Sequence, residues 1–268
     1  MGGIVHKSGL MTDGIFADLS IVIITLNEER NLPSLLATAP RLAELIVLDS
    51  GSTDKTTSIA KEFGARIEFR AFDNYASQKN YAMSLSTRRW TLLLDADEAP
   101  DSDLWQSISQ VVNEPVTQNV AFELNRRLVF LGRKMRFGRT RDKVVRLFKS
   151  HSAAYQNEIH EKLMIAPDVT VKCLDGVLWH QSYHDLEDYF SKFNRYTSMM
   201  AATRWRDAKV TPSILIIAAR LPVDFLIRYV VKLGFLDGWH GFLWASLSSF
   251  YSFVKYAKLK EISDKVST

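Results

Sequence analysis

The 268-residue sequence predicts an α/β fold with a mostly parallel central sheet, followed by C-terminal amphipathic helices. Three observations carry this. Short apolar runs alternate with helical stretches from Leu19 to about Asn113, the pattern of right-handed βαβ units. One of those runs, Trp90–Leu94, stops abruptly at Asp95-Ala96-Asp97-Glu98, as a buried parallel strand ending at a ligand-facing edge would. Two long, mainly apolar helical stretches then close the chain.

Leu19–Leu26 is apolar and β-branched, so it reads as a buried first strand. A helix follows to about Ala39, and Glu44–Leu48 is the second strand. Asp49-Ser50-Gly51-Ser52-Thr53-Asp54 is a turn rich in N-cap residues, leading to a helix through about Phe63. Ala65–Arg70 alternates as a third strand, Asn74–Ser86 has helical periodicity, and Trp90–Leu94 is the fourth strand. No GxGxxG follows the first strand, which disfavours a dinucleotide fold.

Asp95 and Asp97 lie two residues apart and point the same way in an extended chain. With Glu98 they repel one another unless a cation sits among them. Two readings stand at this point. One is a divalent metal holding nucleotide phosphates; the other is an acidic turn, with Asp97 or Glu98 capping a helix that starts near Pro100.

The pattern changes after Asn113. Val120–Phe130 and Lys143–Phe148 read as strands without regular helices between them. A basic block runs from Arg126 to Lys149, with Asp142 as its one acid within the stretch Arg126–Lys149 that follows Glu123. It suits a phosphorylated acceptor, anionic lipid headgroups or a solvated face. Asp185–Trp205 is a helix candidate, Ser213–Val231 another, and Gly238 to about Lys258 a last one. Arg220, Asp224 and Arg228 recur at four-residue spacing and so share one helix face, which suggests a helix lying in a membrane interface. From Gly238 to Val254 there is no formal charge, but serines dilute the segment, so peripheral attachment is favoured over a span.

Bulk properties narrow the classes. A net charge of +4 suits an anionic substrate or membrane surface, and no helix-turn-helix, zinc-finger or RNP signature points to nucleic acid. The single cysteine, Cys173, rules out an internal disulfide and fits a reducing compartment. The first residues have no long apolar core or small-residue cleavage site, so they read as a loose extension, not a signal peptide.

Six segments, in order, make a pattern: Ser20–Glu29 (SIVIITLNEE), Leu45–Thr56 (LIVLDSGSTDKT), Ala76–Ala82 (ASQKNYA), Leu92–Glu98 (LLLDADE), Asn157–Leu163 (NEIHEKL) and Leu178–Tyr183 (LWHQSY). Together they resemble the inverting nucleotide-sugar glycosyltransferases of family 2, with the GT-A fold, across about residues 19–260. Lys192–Ala201 (KFNRYTSMMA) and Gly234–Ala245 (GFLDGWHGFLWA) look more like the lipopolysaccharide inner-core β-1,4-glucosyltransferase subgroup.

The resemblance implies roles. Thr25, Asn27 and Glu28 would form the nucleotide loop; Asp49 would recognise the uracil edge, with Ser50 standing where many members have a second acid; Lys79 would lie near the diphosphate. Asp95 and Asp97 match the DxD motif, Asp97 ligating Mg²⁺ or Mn²⁺ and Asp95 contacting ribose or the metal's water, with His180 as a further metal ligand. Glu161 would be the general base, oriented by His160, with Asp142 as the rival base.

The implied organisation is an N-terminal extension (1–18), a nucleotide-sugar-binding half (19–113), an acceptor and catalytic half (114–206) and a membrane-association region (207–268). The implied partners are a UDP-sugar, most simply UDP-glucose, a heptose of lipopolysaccharide core, and the anionic cytoplasmic face of a bacterial inner membrane. A related transferase for capsule, exopolysaccharide or a polyprenyl-linked glycan, and a non-catalytic carbohydrate- or lipid-binding module, are the alternatives.

Overall fold

The computed structural model describes residues 16–115, 119–156 and 162–267. The chain divides into two compact units: residues Met1–Arg126 with Lys143–Leu178, and Arg127–Asp142 with Trp179–Thr268.

The first unit opens with β1 (Leu19–Thr25), α1 (Leu32–Thr38), β2 (Glu44–Asp49), α2 (Thr56–Glu62), β3 (Arg66–Phe69), α3 (Tyr75–Ser84) and β4 (Trp90–Asp95). β1 pairs in parallel with β2 on one side and β4 on the other, and β3 extends the sheet beyond β2. β1, β2 and β4 are buried along most of their length because both sheet faces are covered, which is why their sequences run apolar without alternation. The parallel register carries Thr25, Asp49 and Asp95 to one edge of the sheet.

β5 (Glu98–Pro100) and α4 (Ser102–Asn113) follow, then β6 (Val120–Phe130), β7 (Arg133–Lys134) and β8 (Arg141–Lys149). β8 pairs antiparallel with β4, setting Leu92 against Leu147, and so enters the mostly parallel sheet as a reversed strand next to β4. α4 begins after Asp101, whose carboxylate accepts from the Leu104 amide at 2.9 Å; neither Asp97 nor Glu98 caps it. Four short strands complete the series: β9 (Ala153–Gln156), β10 (Lys162–Ile165), β11 (Thr170–Cys173) and β12 (Leu178–Tyr183). β9 and β10 pair as a separate antiparallel ribbon, and β11 runs parallel to β6.

The second unit is built on α5 (Leu186–Ala208), α6 (Ile214–Leu226) and α7 (Gly238–Ser267). Asp185 caps α5 and Ser213 caps α6, each side chain accepting an amide from the first turn. A π turn (Ile227–Val231) continues α6, and a 3₁₀ turn (Gly234–Asp237) leads into α7. Among the described residues, no helix is long and apolar enough to cross a membrane. The Arg220–Asp224–Arg228 stripe does lie on one face, but that face looks inward: Arg220 donates to the Tyr256 hydroxyl of α7 at 2.9 Å, and Asp224 is buried.

Candidate active site

The carboxyl ends of β1, β2 and β4 bring together most of the residues singled out for the nucleotide. Thr25 is buried and donates to Asp49 Oδ1 at 3.2 Å. Asp49 Oδ2 accepts the amides of Gly51 and Ser52, each at 2.9 Å, and the Ser52 hydroxyl donates to Oδ1. Asp49 thereby folds the turn that follows it, which a serine-rich sequence could not hold by packing. Gly51, at φ +104, supplies a conformation that other residues rarely adopt.

Asn27 sits at φ +56, a left-handed conformation that Asn tolerates better than most residues. Its amide donates to the Ser52 hydroxyl at 2.9 Å, and its side-chain oxygen accepts the Thr53 amide at 2.8 Å. The Glu28 amide donates to the Thr56 hydroxyl at 2.8 Å, while the Glu28 carboxylate accepts from Asn31. Asp54 accepts the Glu29 amide, and Glu29 accepts the Lys55 amide. Burial alone would raise the Asp54 pKa, but hydrogen bonds from the Thr56 hydroxyl and amide hold it below the usual carboxylate range. The loops after β1 and β2 are thus laced to each other.

α3 brings Gln78 and Lys79 to the same edge, both buried. Gln78 donates to the Ser50 hydroxyl at 2.9 Å and to the Arg70 carbonyl at 3.1 Å; its Oε1 has no hydrogen-bond partner among the described residues. Ser50, standing where a second acid was expected, is therefore a partner for an amide. Lys79 lies 3.7 Å from Asp95 Oδ1 and over the Tyr155 ring.

The acids at the end of β4 are met by the protein's own cations. Arg146 of β8 lies 2.5 Å from Asp95 Oδ2 and 2.9 Å from Glu98 Oε1, and Arg126 lies 3.0 Å from the same Glu98 oxygen. Burial alone would lower the Arg146 pKa; the Asp95 and Glu98 carboxylates more than offset that and raise it well above the ordinary value. Glu98 is fully buried and also accepts the Asp95 amide at 3.1 Å. It is the second carboxylate of a buried ion cluster, not the helix-start residue that the sequence suggested.

Asp97 is half-buried in the turn between β4 and β5. Among the described residues, no three His, Cys, Asp or Glu side chains gather to hold a metal ion. A Mg²⁺-type site does not require three, because one or two carboxylates serve when substrate phosphates complete the shell. Asp95 is engaged by Lys79 and Arg146, and Asp97 follows it two residues later, in the turn after β4.

His180 belongs to β12 in the second unit, its ring nitrogens 3.0 and 3.3 Å from the Ser182 hydroxyl. Asp142 is exposed at the start of β8, also in the second unit. His160 and Glu161 lie outside the described residues.

Residues 20–168 match the family described as Glycosyl transferase family 2. An uncharacterized glycosyltransferase of Rickettsia typhi is 28% identical over 258 residues, 92% of this chain and 88% of that protein. The lipopolysaccharide core biosynthesis glycosyltransferase LpsC of Rhizobium meliloti is 27% identical over 254 residues, 90% of this chain and 91% of that one. Among solved structures, glucosyl-3-phosphoglycerate synthase of Mycobacterium tuberculosis, crystallised with Mn²⁺, UDP and glucosyl-3-phosphoglycerate, is 15% identical and covers 74% of this chain and 86% of that one, at a TM-score of 0.44.

Proposed function

We infer that this chain, which belongs to glycosyl transferase family 2, is an inverting GT-A transferase that moves a hexose, most simply glucose from UDP-glucose, onto a heptose of lipopolysaccharide inner core. The observation that carries the reading is the edge shared by β1, β2, α3 and β4. There a laced polar loop stands beside buried Lys79 and the acids of β4, an arrangement suited to a nucleoside diphosphate. Likeness to LpsC over nine-tenths of the chain supports the choice of acceptor.

Thr25, Asn27 and Glu28 would face the nucleoside, Asp49 would recognise the uracil edge from the turn it holds, and Lys79 would meet the diphosphate. Asp97 would hold Mg²⁺ or Mn²⁺, which neutralises charge on the departing diphosphate. Asp95 would serve ribose or the water around the metal, and His180 would add a late ligand. Glu161 takes the proton of the acceptor hydroxyl while that oxygen attacks the anomeric carbon; the bond to the diphosphate oxygen breaks and its electron pair leaves with UDP. His160 would orient Glu161 or line the acceptor site, and Asp142 is the rival candidate for the base. An α-linked donor then gives a β-glycoside. Residues 19–113 would form the donor half and 114–206 the acceptor half. Residues 207–268 would attach the enzyme to the cytoplasmic face of the inner membrane.

The test is transfer from a panel of nucleotide sugars to purified inner-core lipopolysaccharide, with NMR of the new linkage. A β-glucosyl product from UDP-glucose is expected. Transfer solely to a capsule, exopolysaccharide or polyprenyl-linked acceptor would replace the core assignment.

A further inference from the structure

The second unit wears part of its helical sequence inside out. In α6 and the π turn, Ile217, Arg220, Asp224 and Arg228 face the protein. Burial lowers the Arg228 pKa, with Asp224 opposing the shift. The apolar residues take the outside: Leu215 is 82% exposed, and Val223, Leu226 and Val230 follow it along the same side. A helix on an aqueous surface shows the reverse order. From the end of the π turn the apolar exposure continues through Val231, Leu233, Phe235 and Leu236 to Trp239, itself 66% exposed. A contiguous apolar face of this extent marks a binding surface on a soluble domain.

A basic hairpin is fastened to that connection. Asp237, buried at the foot of α7, accepts the amides of Arg136 at 3.0 Å and Phe137 at 2.9 Å. The Gly138 amide donates to the Lys232 carbonyl at 2.9 Å. Gly138 meets the connection at ordinary contact distance, while Gly234 and Gly241 let the connection fold tightly on itself. A Cβ on Gly138 would meet Gly234 Cα at 3.6 Å, one on Gly234 would lie 2.6 Å from the Arg228 carbonyl oxygen, and one on Gly241 would lie 1.8 Å from the Gly234 carbonyl oxygen. Arg133, Lys134, Arg136 and Arg139 of this hairpin are exposed. The buried carboxylate of Asp237 thus holds four exposed cations beside the apolar connection.

We propose that this face is a docking surface for an anionic phospholipid bilayer, α6 and the connection to α7 entering the boundary between headgroups and acyl chains and the hairpin cations meeting lipid phosphates. Apolar area with flanking cations is what such a boundary selects. A twofold pairing of two copies through the same face would bring two basic hairpins together. The inference deepens the membrane part of the proposed function and rests on it for its purpose, which is to hold the enzyme at a lipid-borne acceptor.

Flotation of the full chain with vesicles tests it. The parent should float with phosphatidylglycerol–phosphatidylethanolamine vesicles, less at high salt, and poorly with phosphatidylcholine. Replacing Leu226, Val230 and Trp239 together with Gln should cut partitioning about tenfold or more. Replacing Arg133, Lys134, Arg136 and Arg139 with Gln should erase the preference for anionic lipid. Circular dichroism and melting curves establish that each variant is folded. Unchanged flotation of the apolar triple variant would overturn the proposal, as would a parent that ignores lipid and forms a dimer which the triple variant dissolves. Transfer to delipidated core oligosaccharide separates this from the enzymatic reading: the triple variant should match the parent there and fall behind on acceptor embedded in vesicles. No transfer by either protein to any acceptor, with flotation as expected, would sink the enzymatic reading and leave the docking surface standing.

Discussion

Arg146 reaches the Asp95 carboxylate at 2.5 Å from within an otherwise apolar part of β8, so the acid that ends β4 is balanced from its antiparallel neighbour. The same guanidinium serves Glu98 at 2.9 Å, and both ends of the bridge are shielded from water.

Removing that guanidinium takes one cation from each of two carboxylates and leaves Arg126 and Lys79 to balance them. Arg146→Met should lower stability by about 3–5 kcal/mol, read from the urea midpoint. Arg146→Lys should recover part of the loss, because it keeps the positive charge but not the delocalised, weakly hydrated guanidinium whose one terminal nitrogen meets both carboxylates. A midpoint for Arg146→Met equal to the parent's would show that the cluster contributes nothing.

Donor binding should separate Asp97 from Glu161. Titration of UDP into the parent should tighten when Mn²⁺ is added, and Asp97→Ala should remove that gain. Glu161→Gln should bind UDP normally and lose roughly 10²–10⁴-fold in turnover. Near-normal turnover would remove Glu161 as the base.

Acid sensitivity should show at Glu44. Burial alone would raise its pKa, but hydrogen bonds from Ser20 and Thr87 outweigh that and hold it below 4.5. A depressed folded pKa stabilises the protein above the unfolded value and loses that contribution as pH falls through the folded one. Glu44→Gln should therefore lose less stability than the parent between neutral pH and pH values well below 4.5. Parallel urea midpoints for the two proteins across that range would contradict it.

Gly241→Ala should destabilise the second unit by about 1–3 kcal/mol or more, since its new methyl would be forced into a backbone carbonyl. Gly132→Ala is the comparison: its Cβ meets nothing within 4 Å, and the cost is that of φ +77 alone, on the order of 1 kcal/mol. Melting curves that rank the two the other way would refute the packing account.

Legibility followed physical signal strength. β1, β2 and β4 were readable because strands buried on both faces leave continuous apolar runs, and α5 because Asp185 advertises its cap. β5, β9 and β11 were not, since three or four residues carry no periodicity. Glu98 read as a helix-start acid because the true cap, Asp101, lies three residues further on. Arg146 was hidden in a basic block, although a charge within the apolar run of β8 was the available clue that it needed a buried partner. The Arg220–Asp224–Arg228 spacing revealed a shared face; periodicity alone does not say which face turns inward.

The lacing between the loops after β1 and β2 has a thermodynamic consequence. Asn27, Glu28 and Glu29 exchange hydrogen bonds with Ser52, Thr53, Asp54, Lys55 and Thr56, so two segments some 25 residues apart form one ledge. Its conformational entropy is surrendered when the chain folds, so a ligand docking there would not have to repay it. Recognition on such a ledge would approach lock-and-key behaviour: association limited by diffusion and orientation, with little loop ordering to slow it.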